Sequence, residues 1–270
     1  MKISTVDELP KFSDWPAILL GIRPQPTIEQ SPNLLEKFKQ NPGSRLEDVD
    51  RWAAGAATNT LASVDQHIVE MTPEESHEAY IAFIESALVP RLPATALVEI
   101  GRGYGSVILG LARKAAFQDI PYFVADSTPT APELAGLIAK EEGIRLTTGS
   151  ANPSSNPVTD LDIPEGALVY TAYAAHHVET LSDEFIEGIK ALKPETVVHV
   201  EPVYEHCDPS TLLGLLRQRY IEACQYNRNL STILHHHERL GSLEIIQESR
   251  PGFGPNPLLA ASVIAWKPRG

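Results

Sequence analysis

At 270 residues, 43% of them hydrophobic, the chain is long enough to bury one substantial core with an N-terminal extension beside it. Its formal charge of −13 would repel a phosphate backbone, which argues against nucleic acid and anionic membrane as partners. The two cysteines, Cys207 and Cys224, lack CxxC spacing and cannot form a disulfide framework, so a reducing compartment is expected. The opening MKISTVDELPKFSDW, broken by acids and proline, does not read as a signal peptide. No run approaches the roughly 18 apolar residues of a membrane span, and the expected location is the cytoplasm.

Residues 1 to about 70 are interrupted by Pro10, Pro16, Pro24, Pro26, Pro32 and Pro42, with short helical stretches such as Asn33 to Gln40 between them. This predicts an irregular, partly helical cap. A strong helix opens at Thr72, where a Thr N-cap, Pro73 and Glu75 make a capping box. Its apolar stripe is Tyr80, Phe83, Ile84, Ala87 and Leu88, and Pro90 and Pro93 end it.

Short apolar runs then alternate with helical stretches, the pattern of βαβ units around a parallel sheet. Strands are predicted at Ala96 to Ile100, Pro121 to Ala125, Arg145 to Thr148, Ala167 to Ala172 and Thr196 to Val200. Helices fit at Val107 to Phe117, Pro132 to Glu142 and Asp183 to Leu192. Asp208 as N-cap and Pro209 predict a further long helix, running with a break toward Gly241. Two last strands, Leu243 to Glu248 and Leu258 to Trp266, flank a Pro/Gly loop.

The chemistry begins at LVEIGRGYG, which sets Gly101, Gly103 and Gly105 between a buried strand and a helix. Glycine permits a tight turn and close approach of a cofactor, and the helix offers free N–H groups. Glu99 completes a Glu-x-Gly-x-Gly-x-Gly pattern. Asp126, after the next strand, stands where an acid can accept the hydroxyls of an adenosine ribose. A dinucleotide fingerprint wants glycine at position 106, which is Ser, and has no role for Glu99.

From about Ala94 to Pro268 the chain resembles class I S-adenosylmethionine (SAM)-dependent methyltransferases. The resemblance implies a Rossmann-like, mostly parallel seven-stranded sheet with helices on both faces and a final antiparallel strand, below a helical N-terminal cap. Residues 94–270 would form the SAM-binding domain and residues 1–93 a substrate lid. It also implies that Glu99, Gly101, Gly103 and Gly105 hold the methionine end of SAM and that Asp126 binds the ribose. Arg102 departs from the small residue usual in that family.

Further candidates lie after the fourth and fifth strands, the sheet edge where ligands bind. His176 and His177 follow the fourth, and an imidazole there suits a general base. Glu201, Glu205 and His206 follow the fifth, and with His176 or His177 the set Glu201 or His206 would suit a divalent metal such as Fe, Mn or Zn. AHHVETLSDE resembles the His-Asp-Trp segment of O-methyltransferases. Relatives of that group that methylate keto acids place a metal there, and EPVYE with YIEACQYNRNL is similar to methyltransferase domains of some polyketide loading modules, which use a metal to enolise a malonyl unit.

Tyr226, Asn227, Arg228 and Asn229, read as part of the long helix, are candidates for lining the substrate pocket. The HHHE run at 235–238 does not make one ion site, because consecutive helical residues point about 100° apart. The expected activity is transfer of a methyl group to oxygen or carbon of a small-molecule or carrier-bound acceptor in secondary metabolism. The alternatives are an NAD-dependent oxidoreductase and a non-catalytic SAM-binding partner protein. The long helix and cap offer surface for a homodimer, though nothing in their pattern requires one.

Overall fold

A computed structural model describes residues 2–4, 15–22, 33–56, 58–101, 103–151 and 161–269. Arg102 lies outside them, as do the prolines at 10, 24, 26 and 32. In chain order the first elements are β1 (Lys2–Ser4), α1 (Trp15–Leu19), α2 (Leu34–Gln40), α3 (Leu46–Ala54), β2 (Thr60–Val64), β3 (His67–Met71) and α4 (Pro73–Leu88). Then follow β4 (Leu97–Gly101), α5 (Ser106–Ala112), β5 (Tyr122–Asp126), α6 (Thr130–Glu142), β6 (Leu146–Ser150), β7 (Leu168–Ala172), α7 (Asp183–Lys190) and β8 (Thr196–Pro202). The last are α8 (Leu212–Ala223), α9 (Leu230–Arg239), β9 (Leu243–Glu248), β10 (Phe253–Gly254) and β11 (Ala261–Pro268).

Every residue of β5, β7 and β8 is buried, which requires cover on both faces and explains why these runs are continuous rather than alternating. The strands β6, β5, β4, β7 and β8 are parallel neighbours in that order, β11 joins β8 antiparallel, and β9 pairs with β11. This is the Rossmann-like sheet that the resemblance implies. On one face Ile84 and Leu88 of α4, Ile108 and Leu109 of α5 and Ile138 of α6 pack against Leu97, Val124 and Val198. On the other, Phe185, Ile186 and Ile189 of α7 and Leu234 of α9 pack against Val169, Val197 and Trp266.

The sheet continues past β11 through β10, β2, β3 and β1, so strands accompany the helices of the N-terminal region. The hairpin TLASV-DQ-HIVEM buries Ala62, Ser63, Ile68, Val69 and Met71 and turns at Asp65, whose φ is 52°. It docks on the body when Val64 pairs with Phe253. Arg217 of α8, only 2% exposed, fastens it: its guanidinium donates to Ser63 Oγ (2.6 Å), Gln66 Oε1 (3.3 Å) and the Asp65 and Pro257 carbonyls.

The Thr72 capping box forms as expected, with Glu75 N–H donating to the Thr72 hydroxyl and Thr72 N–H to the Glu75 carboxylate. Several boundaries differ. α8 starts at Leu212, not at Pro209, because Asp208 uses its carboxylate on the N–H and hydroxyl of Ser210 and Thr211 caps Gly214 instead. The tetrad 226–229 lies between α8 and α9, beyond a left-handed residue at Gln225, and not inside a helix. β11 begins at Ala261 after a short turn at Pro257–Leu259.

Candidate active site

The glycine turn forms at the carboxyl end of β4, in register with the end of β5, where Gly101 pairs with Asp126. A Cβ on Gly101 would meet Glu99 Oε1 at 3.1 Å. At Gly103 a Cβ would meet nothing within 4 Å among the described residues, so that surface is open to a ligand. The Gly103 N–H donates to Asp126 Oδ2 at 2.6 Å. Gly105 caps α5 with φ of 74°, a conformation that favours glycine, and a Cβ there would press on Ala135 at 3.1 Å.

Both acids of this half are buried. Burial pushes the Glu99 carboxyl up to about 7, although the Tyr170 hydroxyl (2.9 Å) and the Ile108 N–H (3.1 Å) both donate to Oε2. Asp126 accepts the Thr128 N–H and hydroxyl on Oδ1, each at 2.7 Å. Among the described residues its three donors leave one acceptor position on the carboxylate.

The other half is the loop after β7. Tyr173 turns the chain there with φ of 52°, an uncommon conformation for a residue with a side chain. The loop closes over Glu201 at the end of β8: Ala174 and Ala175 N–H each donate to Oε1 at 2.9 Å, and His176 N–H and Nδ1 approach Oε2 at 3.3 and 3.2 Å. Burial alone would raise the Glu201 carboxyl, but its hydrogen bonds to His176 and to the two alanine N–H groups hold it below the usual range. An ionised carboxylate accepts only, so Nδ1 of His176 carries hydrogen, and in the neutral ring Nε2 is then the acceptor. The His176 ring is flanked edge-on by Tyr173 at 5.6 Å and Tyr226 at 4.9 Å, and His177 lies 4.0 Å from it.

Between the halves lies a cleft of about 390 Å³, lined by Gly101, Ser127, Ala151, Thr171, Ala174 and His177 among others. A second hollow of about 460 Å³ lies between α3, the start of α4 and the glycine turn. There the Tyr104 hydroxyl donates to Asp50 at 2.8 Å and His77 sits 3.4 Å from the same carboxylate. The hydrogen bond to Asp50 raises the His77 imidazole above its ordinary value.

Of the predicted residues, Glu99, Gly101, Gly103, Gly105 and Asp126 come together around the turn, and His176, His177, Glu201 and Tyr226 around the loop. His206 goes elsewhere: Nδ1 bonds Ser262 and Nε2 bonds Glu248, which also accepts from Ser231 and binds His235. Glu205 accepts from the Thr232 N–H. Asn227 and Asn229 direct their amides to the backbone of Val178 and Leu181, so they brace the loop. His235 and His237 diverge, toward Glu248 and Asp183. No three His, Cys, Asp or Glu side chains converge among the described residues in a way that would hold a metal ion.

Tyr80, Tyr170, Thr171, His199, Asp50 and His77 belong to the surroundings of the site and escaped sequence reasoning. Their spacing marks them only as core or surface positions of strands and helices.

No sequence-family profile and no curated protein matches the chain. Solved structures do. Geranyl diphosphate methyltransferase in complex with its substrate and sinefungin aligns over 70% of this chain and 78% of that one, at 14% identity and a TM-score of 0.50. The fold is that of a SAM-dependent methyltransferase. The same enzyme in complex with SAM aligns over 71% and 85% at 15% identity, also with a TM-score of 0.50. OxaC in complex with SAH and oxaline aligns over 87% of this chain and 53% of its own, at 13% identity and 0.50. In this methyltransferase fold no described helix is long and apolar enough to cross a membrane.

Proposed function

We propose that the chain transfers the methyl group of SAM to oxygen or carbon of a small-molecule or carrier-bound acceptor in secondary metabolism. The observation that carries this reading is the turn itself. Gly101 of this turn lines the cleft, Gly103 presents open backbone, and the two acids beside them, Glu99 and Asp126, are buried. Glu99 would receive the ammonium of the methionine end, and Asp126 a ribose hydroxyl on its remaining acceptor position. When bound, SAM supplies an electrophilic methyl on a sulfonium.

The chain's own work is positioning and proton removal. His176, oriented through Nδ1 by Glu201, accepts the acceptor's proton at Nε2, and His177 borders the cleft beside it. The N-terminal region, residues 1–93, acts as the lid that excludes water and chooses the acceptor, a role supported by the Tyr104 bond to Asp50. A divalent metal does not fit the donors described, and no step uses one.

Calorimetric titration with SAM tests the reading. Micromolar binding is expected, and Gly103→Asp or Asp126→Ala should abolish it. No binding by the parent protein would overturn the assignment.

A further inference from the structure

Beneath the cleft the structure holds a buried chain of three polar side chains that the reaction scheme does not use. Trp266 on β11, His199 on β8 and Thr171 on β7 are at most 1% exposed. The Trp266 indole donates to His199 Nε2 at 3.0 Å, and His199 Nδ1 lies 2.9 Å from the Thr171 hydroxyl. Register explains the meeting, since Thr171 pairs with His199 along the parallel strands.

The direction of these bonds follows from chemistry alone. An indole N–H can only donate, so His199 Nε2 must be the bare nitrogen. Burial also holds this imidazole down to about 4, against the opposing charge of Glu201 two residues on, so it is neutral. Its hydrogen is therefore on Nδ1 and is donated to Thr171 Oγ1. The Thr171 hydroxyl then uses a lone pair on His199 and has its own hydrogen left to give. Among the described residues no acceptor for that hydrogen is found, and Thr171 lines the cleft together with Ser127 and Ala151.

We infer that Thr171 is a cofactor-binding residue whose hydroxyl donates to an acceptor atom of the nucleoside end of SAM, with His199 and Trp266 as positioning residues that fix its direction. The inference rests on the proposed SAM activity and deepens it. With one lone pair held by the His199 Nδ1–H, the Thr171 hydroxyl hydrogen is left to donate.

S-adenosylhomocysteine is the probe, titrated calorimetrically into the parent, Thr171→Val and Thr171→Ser. Valine keeps the volume and removes the donor, so its Kd should rise about fivefold, with KM for SAM rising similarly and kcat within about twofold. Serine restores the hydroxyl and should bind within about twofold of the parent. Nitrogen-15 NMR of the ligand-free protein should show His199 protonated at Nδ1 and bare at Nε2. A His199 protonated at Nε2 overturns the inference, and so does a folded Thr171→Val that binds as the parent does. In that last case loss of binding in Asp126→Ala would leave the methyltransferase assignment standing, whereas a parent that binds no cofactor removes both.

Discussion

Glu99 lies mid-strand in β4 and Glu201 near the end of β8, 6% and 0% exposed, and burial penalises the charge of each. They nonetheless differ in charge. Glu99 receives two donors on one oxygen and titrates near 7, so it is poised to ionise fully when a cation arrives. Glu201 receives four N–H contacts from one loop among the described residues and remains a carboxylate. At equal depth, the number of donors aimed at the carboxylate decides its state. One acid is left adaptable toward a ligand, and the other is used to hold a loop and a histidine.

The largest effect should come from removing the acid with four donors. Glu201→Leu would orphan the N–H groups of Ala174, Ala175 and His176 in a dry interior. It should cost about 4 kcal/mol of stability in urea denaturation, since breaking a buried charged network is expensive. Glu201 is depressed, so its contribution is present above the ordinary carboxylate value near 4.5 and is lost as pH falls through its lower folded value. Acid denaturation should therefore set in at higher pH in a milder variant, Glu201→Gln, than in the parent.

His176→Ala tests what that acid positions. Turnover should fall ~10²-fold while SAM affinity stays within about twofold, because the imidazole acts on the acceptor's proton. His176→Ala and His177→Ala variants that each keep turnover within about threefold would remove both histidines from the chemistry.

Glu99 has the opposite sign. Its folded value lies above the ordinary one, so the native state binds a proton that the unfolded chain has released, and stability falls as pH rises from about 4.5 to about 7. Comparing Glu99→Gln with the parent at pH 5 and pH 8 should remove about 2–3 kcal/mol of that decline. SAM binding by the parent at pH 7 should also release protons, seen as a buffer-dependent heat, as the ammonium pulls the carboxyl down. A buffer-independent heat would mean that Glu99 does not meet the cation.

The two halves were unequally legible in the sequence. The glycine turn is local: Glu99 to Gly105 lie on one strand and its turn, and Asp126 pairs in register with Gly101, so spacing along parallel strands predicts their meeting. The loop half depends on contacts between distant segments. His176 and Glu201 sit at the ends of adjacent strands and were both identified, but nothing in EPVYEH tells that Glu201 turns to the loop while His206 turns to Glu248. Asn227 and Asn229 look like pocket residues because they are polar among apolar neighbours, and tertiary contact gives them to backbone instead. The hairpin at 60–71 is short, its burial does not alternate regularly, and its pairing with β10 comes from almost two hundred residues away in the chain, where local pattern is silent.

Glu248 also meets histidines, but at a more exposed place than Glu201. Glu248 accepts from Ser231 and lies 2.8 Å from both His206 and His235, yet its side chain is 25% exposed and it belongs to the edge strand β9. Burial raises its carboxyl, and the hydrogen bonds from Ser231, His206 and His235 outweigh that and lower it. Water can replace a lost partner here, which it cannot do at Glu201. His206→Ala should therefore cost about 1 kcal/mol in urea denaturation and leave kcat and KM within about twofold. A ~10²-fold fall in kcat with the fold intact would place His206 in the chemistry beside His176, and the division between a buried working pair and an outer structural pair would fail.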